Sequence, residues 1–177
     1  MHVRQRRDGK QGGFTLIEVL LAVIILVVGL VAVAQLVPAS LTSNNGNRKD
    51  SVALVLAQRE LDQMLDQPLK NTQFTDVLGN ACNLGNPATP NAVAGSPVLI
   101  IGNRPTIDFS AGQVAGYSFN YVDPEDGSRA TYDVRWAVIT TANAGTPNSK
   151  RFIIGARQVG GTGGFFQPLT LDTMVEK

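Results

Sequence analysis

The sequence predicts an α+β protein in which one long N-terminal helix is followed by a small antiparallel β-sheet. Residues 19–37 form an apolar run with a single polar side chain, Gln35, long enough for a membrane helix. From residue 114 the apolar and polar side chains alternate in the manner of strands. Residues 70–113 between them are rich in glycine and proline, which predicts a loop-rich connection.

The composition argues against several function classes. The formal net charge is +1, which does not favour a nucleic-acid binder that depends on bulk charge, although nucleic acid is not excluded. The single cysteine, Cys82, excludes an intrachain disulfide, and we expect it to be an unpaired or partly buried thiol. The single histidine, His2, leaves no Ser-His-Asp or Cys-His arrangement. We therefore expect no enzymatic activity, no cofactor and no metal site.

A short basic segment precedes the apolar run. Residues 1–13 contain four Lys or Arg residues and one Asp, a side-chain charge of +3. The nineteen residues from Val19 to Val37 would rise about 28 Å as a helix, close to the roughly 30 Å of a bilayer core. The positive-inside rule keeps the basic segment cytoplasmic and sends the rest of the chain across. A cleaved secretory signal peptide and a plain signal anchor are the alternatives.

Glu18 is an acidic side chain within the apolar stretch that begins at Phe14. Such a side chain costs roughly 2.5–3.5 kcal/mol at the centre of a membrane helix and less near an end. A charge retained in this environment is by default a functional-site hypothesis. The alternative is that Glu18 only marks the cytoplasmic end of the span.

The segment from Gly13 to Leu21, GFTLIEVLL, resembles the prepilin signature of type IV pilins and type II secretion pseudopilins. The resemblance implies that residues 1–13 are a leader, removed by a prepilin peptidase that cuts between Gly13 and Phe14. It also implies that the same enzyme methylates the new terminal amine of Phe14. Glu18 then becomes the fifth residue of the mature chain, and its implied role is to meet the terminal amine of an adjacent subunit during assembly.

Simple physical arguments support these implied roles. Cleavage after Gly13 creates an amine four residues before Glu18, and positions i and i+4 share a helix face. Among apolar helices a lone carboxylate is costly, and an ammonium of the same or a neighbouring subunit offsets much of that cost. From Phe14 onward the charges are 11 basic and 13 acidic side chains, a net charge of 11 − 13 = −2.

The resemblance also implies a location and partners. Residues 14–41 are expected to form an apolar helix that lies first in inner-membrane lipid and later in a filament core. The chain is expected to cross the inner membrane once, with a periplasmic C-terminal domain, and to end in a cell-surface or periplasmic filament. The expected partners are the prepilin peptidase/methyltransferase, membrane lipid, and other pilin or pseudopilin subunits.

The long helix is predicted to be irregular. Pro38 lacks an amide hydrogen and Gly29 weakens a helix, so we expect a kink in this region. Residues 42–69 are predicted to form its second half, with a strained or broken turn at Thr42–Asn47 or, alternatively, a true loop there. Pro68 is predicted to end it.

The second half of the helix has two apolar faces. Two such faces suggest either a neighbouring helix as a second partner or ordinary core packing. One face, the apolar stripe, comprises Leu54, Ala57, Leu61, Met64 and Leu65, and the second face comprises Val52, Val55 and Leu56.

Residues 114–177 are predicted to form an antiparallel sheet with one face free to pack on the helix. The predicted strands are 116–122, 129–140 and 150–157, with a loop at 141–149, a glycine-rich turn at 160–164 and a last strand within 165–175. In the loop-rich connection only 98–101 is a strand candidate. Tyr132, Val134, Trp136 and Val138 are predicted to share one face of their strand, and Asp133 and Arg135 the other.

The C-terminal part is similar, more loosely, to minor pilins of the pilus-modification type. The similarity rests on residues 132–136, a loop containing Pro147, and residues 150–154. Major pilins often close this region with a disulfide, which the lone Cys82 cannot form. The resemblance therefore implies a minor pilin of a type IV pilus or, alternatively, a minor pseudopilin of a type II secretion system.

Two other function classes stay open on the residues alone. A membrane-anchored periplasmic protein with a Ca²⁺ site could use the acidic turn at Asp123, Glu125 and Asp126, although such a turn is more often simply hydrated. A binding module at a filament tip could use a basic patch, although arginines on strands more often form surface ion pairs. The arginines concerned are Arg129, Arg135, Arg151 and Arg157.

Overall fold

A long helix, α1, opens the fold of this computed structural model, which describes residues 13–124, 130–159 and 168–176. The helix runs Leu16–Leu65 without interruption and contains Pro38. Thr42–Asn47, predicted to be a strained or broken turn, is therefore helical, and the alternative of a true loop is wrong. The helix ends three residues before Pro68, because a proline disfavours helical geometry in the residue that precedes it.

The chain divides into two compact units at Ser43/Asn44. In the first unit the apolar side chains from Phe14 to Leu41 are exposed. By length and composition α1 is the one helix within the described residues that could cross a membrane. An apolar surface of this extent is not stable in water, so the first unit requires lipid or other apolar helices around it.

Short strands follow the helix before the main sheet begins. β4 (Val98–Ile101) confirms the one strand predicted in the loop-rich connection. The sequence did not predict its partner β5 (Arg104–Ile107), the two-stranded pair β1 (Gln73–Thr75) and β2 (Ala81–Asn83), or β3 (Val93–Gly95). The main strands are β6 (Ser118–Val122), β7 (Thr131–Asn143), β8 (Thr146–Val159) and β9 (Leu169–Glu176).

The main sheet is antiparallel, with the order β3-β7-β8-β9 and with β6 also paired to β7. β7 is long enough to hold two partners on one edge: its first part pairs with β6 and its later part with β3. The last strand, expected within 165–175, is β9. The predicted glycine-rich turn at 160–164 lies outside the described residues.

A tight hairpin joins β7 and β8, so the predicted loop at 141–149 is wrong. β7 continues to Asn143 and β8 begins at Thr146, with only Ala144 and Gly145 between them. Both residues have positive φ, +48° and +79°, the pattern of a type I′ turn. Pro147, expected in a loop, pairs with Ala142 beside a register shift. The hairpin was missed because Ala144 is not a residue that favours positive φ.

The main core lies between the second half of α1 and one face of the sheet. Tyr132, Val134, Trp136 and Val138 share this face as predicted, and all four are fully buried. The rings of Trp136 and Phe74 meet edge-on, with their centroids 5.8 Å apart. The indole nitrogen of Trp136 donates to the Asn83 carbonyl at 3.0 Å. The helix buries Ala53, Leu56, Ala57, Glu60 and Met64 on this side.

The two predicted apolar faces of the helix are buried to different extents. Ala57 and Met64 of the stripe are fully buried, and Leu56 of the second face is buried beside them. Val55 of the second face is 59 % exposed. Most of both faces therefore serves ordinary core packing.

The opposite, outer face of the sheet is also covered. Ile107 and Phe109 form a second apolar cluster with Ala137 and Ile153. A Cβ placed on Gly155 would stand 3.0 Å from atoms of Ile107 and Phe109, so this glycine lets the crossing segment approach the sheet closely. The segment that contains Ile107 and Phe109 covers Asp133 and Arg135. The alternating pattern had placed these two residues on the face of the sheet away from the helix.

Candidate functional site

Thr15 and Glu18 form the N-terminal cap of α1. The helix begins at Leu16, so Thr15 occupies the N-cap position and Glu18 the third helical position. The Glu18 amide donates to Thr15 Oγ1 at 3.4 Å, and the Thr15 hydroxyl donates to Glu18 Oε2 at 3.5 Å. These long contacts form a variant of the capping box, and a carboxylate in the first turn complements the helix dipole.

The Glu18 carboxylate is exposed and has no cation at ion-pair distance among residues 13–124, 130–159 and 168–176. Its surroundings are a shallow apolar groove lined by Phe14, Val19, Ala22, Val23 and Leu26. Thr15 therefore gives the Glu18 carboxylate polar contacts, but no described residue neutralises its negative charge. An uncompensated carboxylate on an apolar helix is what an assembly role of Glu18 requires.

The other predicted site residues lie in open positions. Phe14 is 83 % exposed, and nothing lies within 4 Å of the place that a Cβ on Gly13 or Gly29 would occupy. The fold itself therefore places no packing demand for glycine at residue 13. Cleavage after Gly13, methylation of Phe14, the assembly role of Glu18 and the kink at Gly29 and Pro38 stay predictions.

Three of the four arginines considered as a basic patch are paired instead. Arg135 and Asp133 are both buried, with Nη2 and Oδ2 2.9 Å apart. Arg157 reaches the same Oδ2 at 3.3 Å, and Arg151 Nε donates to Asp172 Oδ1 at 2.8 Å on the surface. Arg129 lies outside the described residues. The pairing removes the main support for a tip-exposed binding module.

Two further contacts complete the cluster around Asp133. Gln113 Nε2 donates to Asp133 Oδ1 at 2.8 Å, and Arg135 Nη1 donates to the Ala111 carbonyl at 2.6 Å. The Phe109 ring lies against both guanidinium groups, with centroid distances of 5.2 Å to Arg135 and 4.8 Å to Arg157. The cluster fastens the 109–113 segment onto the sheet, so its role is structural.

Only Asp123 of the acidic turn lies among the described residues, and the lone thiol is buried. Asp123 is buried, while Glu125 and Asp126 lie outside the described residues. No group of three His, Cys, Asp or Glu residues that could hold a metal ion occurs in the part of the chain that the structure describes. Burial, followed by the nearby Asp76 carboxylate, raises the pKa of Cys82 to about 12, and its thiol donates to Asp76 Oδ2 at 3.6 Å. A thiol with this pKa is a poor nucleophile at neutral pH.

Glu60 is a buried acid that the periodicity of the helix did not reveal. Its side chain is fully buried, and Oε2 accepts a hydrogen bond from the Val77 amide at 3.1 Å. Burial is the largest cause that raises its pKa from 4.5 to about 7; the Val77 hydrogen bond lowers the pKa, Asp76 raises it and Arg59 lowers it. Glu60 thus joins the helix to the turn between β1 and β2.

We expect Glu60 to make the stability of the domain depend on pH. Its pKa is higher in the folded state than in the unfolded state, so its contribution is fully present below pH 4.5 and is lost as the pH rises to about 7. Glu60→Gln should remove this slope, worth at most about 3 kcal/mol. The measurement is denaturant unfolding of the detergent-solubilised chain between pH 4 and 8, followed by the fluorescence of Trp136.

Asp62→Asn is the matched control, because Asp62 is exposed on the same helix two residues away. It should keep the slope of the unmodified chain. Equal slopes in the Glu60→Gln variant and the unmodified chain would contradict a buried, protonated Glu60.

The comparison with known families identifies the N-terminal site. Residues 8–34 match the family model described as the prokaryotic N-terminal methylation motif. No curated protein and no solved structure gave a match. The chain therefore carries a type IV pilin-like prepilin signature, on an α+β fold of the pilin kind with one long N-terminal helix packed against antiparallel sheets. By this signature the chain is similar to type IV pilins and pseudopilins, and α1 is long and apolar enough to cross a membrane. The signature implies processing by a prepilin peptidase and assembly with other pilin subunits.

Proposed function

We propose that this chain is a minor pilin, a structural and assembly subunit of a type IV pilus. The observation that carries the proposal is the carboxylate of Glu18, which has no cationic partner in the described part of the chain and lies on an exposed apolar helix inside a matched methylation motif. In a monomer such a charge is a cost, whereas in a filament it meets an ammonium. The carboxylate therefore favours a neighbour that places an ammonium beside it.

The proposed sequence of events begins at the leader. Prepilin peptidase hydrolyses the Gly13–Phe14 peptide bond, leaving a carboxylate on Gly13 and an amine on Phe14 that is then methylated. The ammonium of one subunit pairs with Glu18 of its neighbour and sets their register. Residues 14–41 move from lipid into the filament core, and since both environments are dry, little apolar burial is lost. Residues 42–69 and the sheet domain stay on the periplasmic side.

The cysteine content supports a minor rather than an abundant subunit. Cys82 is alone in the sequence and buried, so the sheet domain has no disulfide of the kind expected of major pilins. A minor pseudopilin of a type II secretion system uses the same N-terminal signature and is the second candidate. Co-purification of the chain with a pilus or with a secretion apparatus distinguishes the two.

The leader prediction is tested at Gly13. Gly13→Leu should block cleavage, because the peptidase must accept the residue before the cut, while Gly13→Ala should still be cleaved. A Cβ on Gly13 would meet no atom within 4 Å among the described residues, so the alanine variant does not disturb the fold. Mass spectrometry of the membrane-extracted chain, expressed with a prepilin peptidase, should find N-methyl-Phe14 as the first residue in all but the leucine variant.

Gly29→Ala provides the matched control, because this glycine also faces open space. It should be processed like the unmodified chain. An intact leader in the unmodified chain would instead indicate a plain membrane anchor and would overturn the proposal.

A further inference from the structure

The hairpin of β1 and β2 is attached to the domain more firmly at its base than at its turn, residues 76–80. At the base, the Asn83 carbonyl accepts the indole hydrogen bond of the buried Trp136. At the turn, the Val77 side chain is half-buried, and among the described residues one hydrogen bond reaches α1, from the Val77 amide to Glu60 Oε2 at 3.1 Å. Two strands of three residues do not form a stable hairpin alone. The turn can therefore separate from α1 while the base stays on the sheet.

Two buried carboxyl groups belong to this contact, and their hydrogen bonds differ. Asp76 Oδ1 accepts from the amides of Leu78 and Asn80 at 2.9 and 2.7 Å. Asp76 Oδ2 accepts from the Asn80 side chain at 3.0 Å and from the Cys82 thiol at 3.6 Å. Glu60 Oε2 accepts only from Val77 among the described residues, and Glu60 Oε1 is buried there without a partner. An ionised carboxylate accepts about four hydrogen bonds, so this arrangement favours a negative charge on Asp76 and a proton on Glu60.

The groups that face Glu60 make its ionised form unfavourable. The Asp76 carboxylate and the Cys82 thiol face it from the hairpin, and Arg59 faces it from its own helix. Burial is the main reason that the pKa of Glu60 is raised to about 7, and the Val77 hydrogen bond and Arg59 compensate only in part. The thiol, with a pKa of about 12, stays neutral. Loss of the Glu60 proton therefore places two carboxylates in one poorly hydrated contact.

We propose that the Glu60 carboxyl is a proton-dependent switch that controls local opening of the β1–β2 turn. With the proton bound, the turn stays closed on α1. When the proton is lost, the carboxylate requires water, and the weakly attached turn is the cover that moves aside. The product is a minor, locally open state in which Cys82 is uncovered while the main sheet stays folded. This switch does not depend on the proposed role in a filament.

The switch operates between about pH 4.5 and pH 7. The pKa of Glu60 is about 7 in the closed state and returns towards its ordinary value of 4.5 when water reaches the carboxyl. Opening therefore releases a proton in this range. The open fraction should rise by up to about tenfold per pH unit there and level off above pH 7. The turn is thus most firmly closed in acid.

Thiol labelling of Cys82 measures the opening, because it is the sole cysteine and is 3 % exposed in the closed state. The detergent-solubilised full-length chain is treated with a pyridyl disulfide reagent. Dividing its labelling rate by that of the urea-unfolded chain at the same pH removes the pH dependence of the thiol itself. We expect this ratio to rise about 40-fold between pH 5 and pH 7. Glu60→Gln keeps an acceptor for the Val77 amide but cannot ionise, so its ratio should change by less than about threefold.

Two controls separate local opening from unfolding of the domain. Val134→Cys, in a chain carrying Cys82→Ala, places the thiol on the central strand β7, where Val134 is fully buried. Its ratio at pH 7 should be at least about tenfold lower than that of Cys82, because only unfolding of the sheet exposes it. Asp62→Asn, exposed on the same helix as Glu60, should keep the rise of the unmodified chain.

Three results would refute the switch. The first is a Cys82 ratio that stays constant between pH 5 and pH 7, which the unmodified chain alone can reveal even where a variant fails to fold. The second is an equal rise in Glu60→Gln. The third is equal ratios at residues 82 and 134, since the opening would then be unfolding of the whole domain.

Discussion

Replacing Glu18 with alanine is expected to leave the chain in the membrane but to remove it from filaments. The apolar helix keeps its full length, so insertion is unaffected, whereas the neighbour's terminal ammonium loses its counter-ion in an apolar environment. Leaving one charge of a buried pair uncompensated costs about 3–5 kcal/mol, so incorporation should fall roughly a hundredfold or more. The measurement is the ratio of the chain in sheared filaments to the chain in membranes.

Two companion variants separate the charge of Glu18 from its capping contact. Glu18→Gln preserves side-chain length and a polar contact with Thr15 but not the charge, and it should fail like alanine. Thr15→Val removes the cap while keeping the carboxylate, and the loss of a cap costs only about 1 kcal/mol. Normal incorporation of Glu18→Ala or Glu18→Gln would show that the carboxylate has no assembly role.

Replacing Asp133 with alanine is expected to destabilise the sheet domain strongly. The variant leaves the Arg135 guanidinium, whose side chain is 5 % exposed, without its carboxylate and removes one of the two acceptors of the Gln113 amide nitrogen. Breaking a buried pair in this way costs about 3–5 kcal/mol. Denaturant unfolding of the detergent-solubilised chain, followed by Trp136 fluorescence, gives the free energy of unfolding.

Asp172→Ala is the matched control for Asp133→Ala. Asp172 also pairs with an arginine on the neighbouring strand, but the side chains of Arg151 and Asp172 are 43 % and 30 % exposed. An exposed pair contributes about 0–1 kcal/mol, so this variant should be nearly as stable as the unmodified chain. Similar losses in both variants would mean that the burial of the Asp133 cluster does not determine its contribution.

The elements that were predicted correctly are those that local pattern specifies. The apolar run and the prepilin signature lie within one contiguous segment, so their interpretation needs no tertiary information. β7 was recognised because Tyr132, Val134, Trp136 and Val138 alternate with other residues over a length that helices do not imitate. The short strands β1, β2, β3 and β5 have three or four residues each, too few to show a period.

The buried charges could not be predicted, because their burial depends on segments distant in sequence. Glu60 is covered together with the turn at Val77, seventeen residues later. Lys150 is buried too: desolvation lowers its pKa to about 8, and its ammonium donates to the Asn71 carbonyl at 2.5 Å, 79 residues away. Asp133 and Arg135 alternate like solvent-facing residues and are covered only because the Phe109 segment crosses the sheet.

The N-terminal cap of α1 could have been predicted from the sequence. Thr15-Leu16-Ile17-Glu18 has the Ser/Thr-x-x-Glu spacing of a capping box directly before an apolar run. That spacing would have placed the start of the helix at Leu16. It also would have given Glu18 a contact within its own chain, in addition to the one proposed with a neighbour.

The burial of Cys82 has a consequence for disulfide chemistry on this chain. Disulfide exchange requires a thiolate that can reach another sulfur, and this thiol is 3 % exposed with a pKa of about 12. Enzymes that introduce disulfides therefore find no reactive sulfur on the folded chain. A neighbouring subunit would therefore not be cross-linked to this chain through Cys82, and any contact between them would stay non-covalent and reversible.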